Sequence, residues 1–396
     1  MNRTLDCGIV GCGIAGTAAA LMLAGQGHRV TLFEQTDHVG PVGAGVLLQP
    51  SGQRVLAEMG LLDALLPKVE PIDQIHAVTE TGRDLVRLQY GEFHPGVTGA
   101  GLHRGDLFSL LHGQLESAGV RLMLDTKIVR LRDIEHRPTA VDARGQSHGP
   151  FDLVIAANGS RSVLRESAGL HAHVIEYDYG ALWTVADVAP VRRQLFQIAH
   201  GTQQLMGLLP VGGGRCSLFW GMHRNAIDAL HRRGFGRWRD DVLRLAPIAE
   251  PLLDRIRSFD ATRFVTYRHV HLRRSWRGNV VFIGDAVHAM SPHLGQGVNL
   301  ALQDAQSLSL AIREETSVQT AFRRHSLNRR WSIAYYAGVT AFLTPFFQSN
   351  SRLLGIGRNL ALPVLCRCRP TRRMMLRTLC GKDAGQMPIN PAAHVP

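Results

Sequence analysis

Apolar residues follow three spacings along this chain, and each predicts a different kind of element. From Asp6 to Gln35, DCGIVGCGIAGTAAALMLAGQGHRVTLFEQ, a short apolar run breaks at glycines, resumes at helical spacing, and ends in a second apolar run closed by Glu34. That order predicts strand, glycine turn, helix and strand. Continuous apolar runs recur in FDLVIAANGSRS and NVVFIGDAVHAMSPHLGQGVNLALQDA, each a buried strand entering a glycine turn, the second followed by a helix start.

Alternation of period two predicts a different sheet. IDQIHAVTE and RDLVRLQYG flank Thr81-Gly82 as a hairpin. From Gly180 to about His271 the segments ALWTVADV, QLFQIAHG, QLMGLLPV, RCSLFWGM and FVTYRHVHL read as long strands, with Val211-Gly212-Gly213-Gly214 turning between the third and fourth. Helical spacing marks Ser51 to Ala57, HRGDLFSLLHGQLESAG with Leu107, Leu110, Leu111 and Leu115 on one face, and an amphipathic stretch from Trp238 to Ile256. The expectation is an α/β fold: a Rossmann-type nucleotide-binding domain from residues 1–70, 101–175 and 273–330, interleaved with a mostly antiparallel β-sheet substrate domain. The latter takes a hairpin at 71–100 and a sheet at 176–272, and 331–396 forms a basic C-terminal helical region.

Composition narrows the class. The 45% hydrophobic and 19% charged content, with no low-complexity tract, is that of a globular α/β protein. The six cysteines form no CxxC pair, so no metal site is expected, and scattered thiols suit a reducing, cytoplasmic setting. The first strand begins too early for a secretory signal to precede it in this sequence. Between Ser317 and Lys382 stand twelve Arg or Lys residues and no acid, which equals the whole net charge of +12. A locally basic appendage argues against a nucleic-acid-binding body. It leaves two readings, a solvated helix face packed on the protein or a peripheral contact with the anionic inner face of a membrane. Within that segment WSIAYYAGVTAFLTPFF is shorter than a membrane span and contains Pro345, which favours a docking helix.

The chemistry lies in the glycine clusters. Gly11, Gly13 and Gly16 satisfy GxGxxG between strand and helix, and Glu34 ends the next strand where a carboxylate accepts ribose hydroxyls. The late cluster repeats strand, Gly284-Asp285 turn, Gly295 and Gly297 loop, and helix. A nicotinamide domain needs only one pyrophosphate loop, so two distant anchors suit a long ligand such as FAD. Asp285 would accept from its hydroxyls, and the helix start after Gly297 would face the pyrimidine side of a flavin.

With these motifs the chain resembles the FAD-dependent monooxygenases of the single-component aromatic hydroxylase type, the para-hydroxybenzoate hydroxylase-like superfamily, over about residues 5 to 330. GCGIAG with Glu34, HRGDL, IAANGSRSVLR and GDAVHAMSPHLGQGVNLALQDA fall in the family's order. The resemblance implies FAD bound by Gly11, Gly13, Ile14, Ala15, Gly16, Glu34, Arg104, Asn158, Gly284 and Asp285. Pro292, Gly295, Gly297, Val298 and Asn299 would lie beside the isoalloxazine. It implies NADH or NADPH as reductant, dioxygen as co-substrate, and hydroxylation of an aromatic or lipophilic small molecule through a flavin hydroperoxide. It also implies a flavin that swings outward to meet NAD(P)H, since no second nicotinamide-binding unit is visible. Asn158 stands where the family has Asp, and Gln303 where an acid is common, with Asp304 retained.

Side chains around such a cofactor admit several readings. His288 is a candidate general base, although a histidine one turn after Gly-Asp is more often structural. Met206, Leu208, Phe219 and Trp220, with Pro292, are candidates for a substrate wall, and the first four read equally as sheet core. Tyr177, Tyr179 and Tyr267 are candidates for binding a phenol. The same fold also serves flavin reductases or dehydrogenases, and a flavin-binding protein without turnover is a third reading.

Overall fold

The computed structural model describes residues 3–40 and 43–381. The first apolar run is the strand Asp6–Val10, followed by α1 (Ile14–Ala24) and the strand Arg29–Phe33. They sit at the centre of a six-stranded sheet ordered 276–277, 280–282, 153–156, 6–10, 29–33 and 121–123. All pairings are parallel except the one between Trp276–Arg277 and Val280–Phe282. Both faces are covered, which explains the uninterrupted apolar strands. On one face α1 and α5 (below) pack Ala18, Ala19, Leu302 and Ala305 against Ile9 and Ile283; on the other, Phe33 and Phe282 meet Leu164 and Phe151. Each fully buried Leu or Phe contributes about 1.5–3 kcal/mol.

After α1 the glycine-rich strand Gly45–Leu48 leads into α2 (Pro50–Glu58) and, with Glu70–Ile72 and Gly99–His103, forms a small antiparallel sheet. α3 (Arg104–His112) follows, ending before the last of the predicted leucines; Leu115 is buried from the turns beyond it.

The alternating segments make a seven-stranded sheet ordered 263–272, 172–186, 216–223, 204–210, 194–200, 74–79 and 84–89. Its pairings are antiparallel apart from 194–200 with 74–79. The strand Ala172–Ala186 starts within the segment expected to belong to the nucleotide domain, and of the 71–100 segment only the two hairpin strands join this sheet. The helix layer with α4 (Phe235–Leu245) covers one face, where Trp238 and Val242 meet Leu182, Leu218 and Trp220.

Past the second glycine cluster run α5 (Gly297–Glu314), α6 (Val318–Phe347), α7 (Arg352–Arg367) and α8 (Arg369–Cys380). Ser317 caps α6 in a box with Thr320, the oxygen of each side chain accepting a backbone N–H at 3.2 Å, and the helix continues unbroken past residue 331 and carries Pro345. α7 faces the sheet with Gly355, Arg358 and Cys366; Arg358 donates to the carbonyls of Gly201 at 2.8 Å and Phe346 at 3.0 Å. α8 reaches back to the second glycine cluster, where Gln296 Nε2 donates to Leu379 O at 3.0 Å. The basic C-terminal region is therefore docked on one side, and residues 382–396 lie outside the described residues.

Candidate active site

The first glycine cluster divides into two jobs. A Cβ on Gly16 would sit 2.0 Å from Gly11 O, and a Cβ on Gly11, at φ +106, would sit 2.6 Å from Ala157 O. These two glycines let the strand, α1 and the Asn158 turn close together. A Cβ on Gly13 would meet nothing within 4 Å, so that glycine keeps backbone bare toward open space. The Glu34 carboxylate is fixed at the rim, accepting the Cys12 N–H at 2.9 Å and the Thr36 N–H at 3.2 Å. Gly13, Glu34, Thr36, His38, Arg104 and Phe108 line a pocket of about 340 Å³. Arg104 is exposed there at the start of α3 and pairs with no carboxylate among the described residues.

The two glycine clusters meet in space. A Cβ on Gly284 (φ +60) would lie 3.0 Å from the Ala15 Cβ, so the Gly-Asp turn seats against the first turn of α1. Asp285 is exposed beside it. The turn is held from beneath by a carboxylate fully out of water. Asp304 Oδ2 accepts the Gly284 N–H at 2.9 Å and His288 Nε2–H at 2.5 Å, and its Oδ1 accepts Arg329 Nε–H at 2.7 Å. Burial alone would raise the Asp304 carboxyl, but His288 and Arg329 outweigh it and hold it well below the carboxylate range. Burial likewise pulls His288 down, and the charge and hydrogen bond of Asp304 more than reverse that. His288 is thus buried with its Nε2 committed to Asp304, where it orients the loop.

Asn299 is also occupied. Its Oδ1 accepts the Gln49 N–H at 2.9 Å and its Nδ2 donates to Gly295 O at 3.0 Å, so the fully buried side chain staples the loop to the start of α2. Gly295 takes the left-handed conformation at φ +60, Pro292 is exposed, Val298 half-buried, and Gly297, open on its Cβ side, starts α5. Ile14 and Ala15 are buried with backbone at the α1 start. Asn158 Oδ1, beside Gly11, is buried without a partner among the described residues.

The substrate-wall residues separate by sheet parity. Met206, Leu208 and Trp220 point into the helix-covered core, because every second residue of a strand turns to the opposite side. Phe219 points the other way, tilted against Trp183 with ring centroids 5.2 Å apart, and it needs Gly207: a Cβ there would lie 2.2 Å from the Phe219 ring. Phe347, at the end of α6, packs in the same cluster and has the His293 ring 6.0 Å away. Tyr179 donates to Asn350 Oδ1 at 3.1 Å and is spent on that link, whereas Tyr177 lies beside Ser291 and Thr344 and Tyr267 beside Trp183.

His293 is the site residue that sequence reading passed over. Thr344 Oγ1 donates to Thr340 O at 2.7 Å, so the 2.8 Å contact between Ser291 Oγ and Thr344 Oγ1 uses the Ser291 proton. The 2.8 Å contact between Ser291 Oγ and His293 Nδ1 then needs the histidine proton. Nε2 is left as a bare acceptor, buried and unpartnered among the described residues, and burial pushes the ring down to about 4, so it is neutral near pH 7. Its only sequence signal was its place directly after Pro292.

The comparisons with known proteins agree with this geometry. The family described as FAD binding domain matches residues 4–320. The chain belongs to that family. It is 29% identical over 328 residues to a probable 2-heptyl-3-hydroxy-4(1H)-quinolone synthase of Rhodococcus erythropolis, covering 79% of this chain and 81% of the relative. It is equally 29% identical over 330 residues to the 3-amino-4-hydroxybenzoate 2-monooxygenase of Streptomyces cremeus, covering 78% of each. The fold is shared with HpxO of Klebsiella pneumoniae solved with FAD, at a TM-score of 0.80 and 20% identity over 95% of this chain and 99% of that one. The protein is an FAD-dependent monooxygenase, and the bare Gly13 backbone, the Glu34 rim and the unpartnered Asn158 oxygen fit that cofactor.

Proposed function

We propose that the protein uses NADH or NADPH and dioxygen to hydroxylate an electron-rich aromatic ring that carries a hydrogen-bond donor. The single observation behind the finer part is the buried Nε2 acceptor of His293, beside Phe347 on the side of the sheet where Phe219 and Trp183 lie. The relatives named for a quinolone and a hydroxybenzoate suggest the same kind of ring.

Hydride acceptance and dioxygen activation are the chemistry that FAD supplies when bound. The chain's own residues bind, orient and exclude water. The α1 N-terminus and Gly13 backbone would receive the pyrophosphate, Glu34 would accept ribose hydroxyls, and Arg104 would offer a cation at the same rim. The α5 start after Gly297 would present backbone N–H groups and a positive dipole end to the flavin. His293 Nε2 would accept a ring O–H or N–H and so turn the ring, with the aromatic rings of Phe219 and Trp183 on the same side of the sheet.

The test is anaerobic addition of NADH and NADPH to the flavin-loaded protein with a panel of phenols, quinolones and hydroxybenzoates, followed by turnover under labelled dioxygen. The expected result is flavin bleaching accelerated by one ring class and one labelled oxygen in its product. Bleaching that no ring accelerates, or products without label, would overturn the proposal.

A further inference from the structure

The outer face of the two C-terminal helices has no partner in this fold. On α7, Leu353, Ile356, Leu360 and Val364 are 57–80% exposed and recur at intervals of three and four residues. They make one apolar ridge of about 16 Å at 1.5 Å per residue. An exposed apolar patch of this kind marks an interaction site. On α8, Arg369, Arg373 and Arg377 are all exposed, each four residues from the next, so they form a row along one helix side. None of the three pairs with a carboxylate among the described residues, in contrast to the neighbouring Arg372, which meets Glu92 at 2.8 Å. Cys368 joins the two helices directly, so the apolar ridge and the arginine row lie on consecutive helices.

We propose that this face docks on an anionic lipid bilayer, with the α7 ridge entering the headgroup boundary and the α8 arginines meeting lipid phosphates. An apolar stripe bordered by cations is the pattern that binds a membrane surface, each arginine near it contributing about 1 kcal/mol. No helix among the described residues is long and apolar enough to cross a membrane, so the contact is peripheral. A second copy of the chain fits poorly, because a two-fold contact sets like patches together and no acid between residues 317 and 382 would neutralise the facing arginines. The opposite faces of the same helices are spent on Arg358, Cys366, Leu376 and Leu379, so the exposed side is free while the fold stays intact.

The experiment is flotation of the flavin-loaded full chain with phosphatidylcholine vesicles, with and without phosphatidylglycerol, at low and high salt. It is repeated with Ile356→Asp/Leu360→Asp and with Arg369→Gln/Arg373→Gln/Arg377→Gln, both on exposed positions and both checked for an unchanged flavin spectrum. Binding is expected only with phosphatidylglycerol, to weaken with salt, and to fall on the order of 100-fold in the arginine variant. No flotation with phosphatidylglycerol at low salt would overturn the proposal. So would equal binding to both vesicle types, or binding that neither variant changes. Light scattering showing a dimer that Ile356→Asp/Leu360→Asp dissociates, without vesicle binding, would assign the face to a second copy instead. None of these readouts depends on substrate turnover, so failure here is distinct from failure of the proposed reaction.

Discussion

The two glycine clusters do similar work by different means. Around Gly11 and Gly16 the chain closes on itself through backbone contacts within one strand-turn-helix unit and the adjoining Ala157. Around Gly284 and Gly295 the loop is held instead by side chains, its own His288 with Asp304 and Asn299 of α5 and Arg329 of α6. A loop specified locally fails when a glycine is filled; a loop specified by a buried charge network fails when the network is broken.

The largest expected effect breaks the second kind of support. Asp304→Asn leaves Arg329 and His288 buried without their anion, and a loss of about 3–5 kcal/mol in denaturant unfolding is expected. A loss under about 1 kcal/mol would show that the network is dispensable. Gly16→Ala attacks the first kind: its Cβ meets Gly11 O, and about 1–3 kcal/mol of stability should go, together with FAD uptake. Stability equal to the parent would refute the steric reading.

Acidity sharpens the comparison further. The Asp304 contribution, from a pKa depressed in the fold, is fully present above its ordinary value of 3.8 and is lost as pH falls through the folded value. The His288 contribution, from a raised pKa, is fully present below 6.5 and is lost as pH rises through the folded value. Unfolding midpoints should therefore fall on both sides of that window, and Asp304→Asn should flatten both slopes. Parallel pH profiles for parent and variant would count against the network.

Smaller effects are expected where side chains meet only ligand. Gly13→Ala adds a Cβ into open space at φ −81, so stability should stay within about 1 kcal/mol of the parent. FAD affinity, read by flavin fluorescence, should drop, because the added carbon stands where backbone must approach pyrophosphate. His293→Phe should leave FAD binding intact and raise KM about 10-fold for substrates with a ring donor, the size of one lost hydrogen bond, with little change for analogues lacking it. An equal rise for both kinds of substrate would remove His293 from substrate orientation.

Much of this was legible before any fold was seen, for physical reasons particular to each stretch. GCGIAG and Glu34 belong to one continuous unit whose backbone demands glycine at fixed offsets, so local order alone identified it. The antiparallel segments announced themselves by period two, and the hairpin at Val211 to Gly214 by its glycines. The same period could not say which parity faces the site, which is why Met206, Leu208 and Trp220 were candidates although they lie under α4 and its neighbours. His288 was ambiguous for a related reason: a histidine becomes an acceptor, a donor or a base only through its partner, and Asp304 is supplied by the next helix.

By itself, then, the sequence determined the strands, the glycine turns, the two distant glycine clusters and the concentration of arginine in the last helices, because each is encoded by residues within a few positions of one another. Tertiary structure decided what depends on remote partners: which sheet face is wet, that Asp304 rather than His288 commands the Gly284 turn, that His293 keeps a bare nitrogen, and which sides of α7 and α8 are spent on packing. Those outcomes are set by burial and by hydrogen bonds across the fold, and neither is written in the spacing of a single segment.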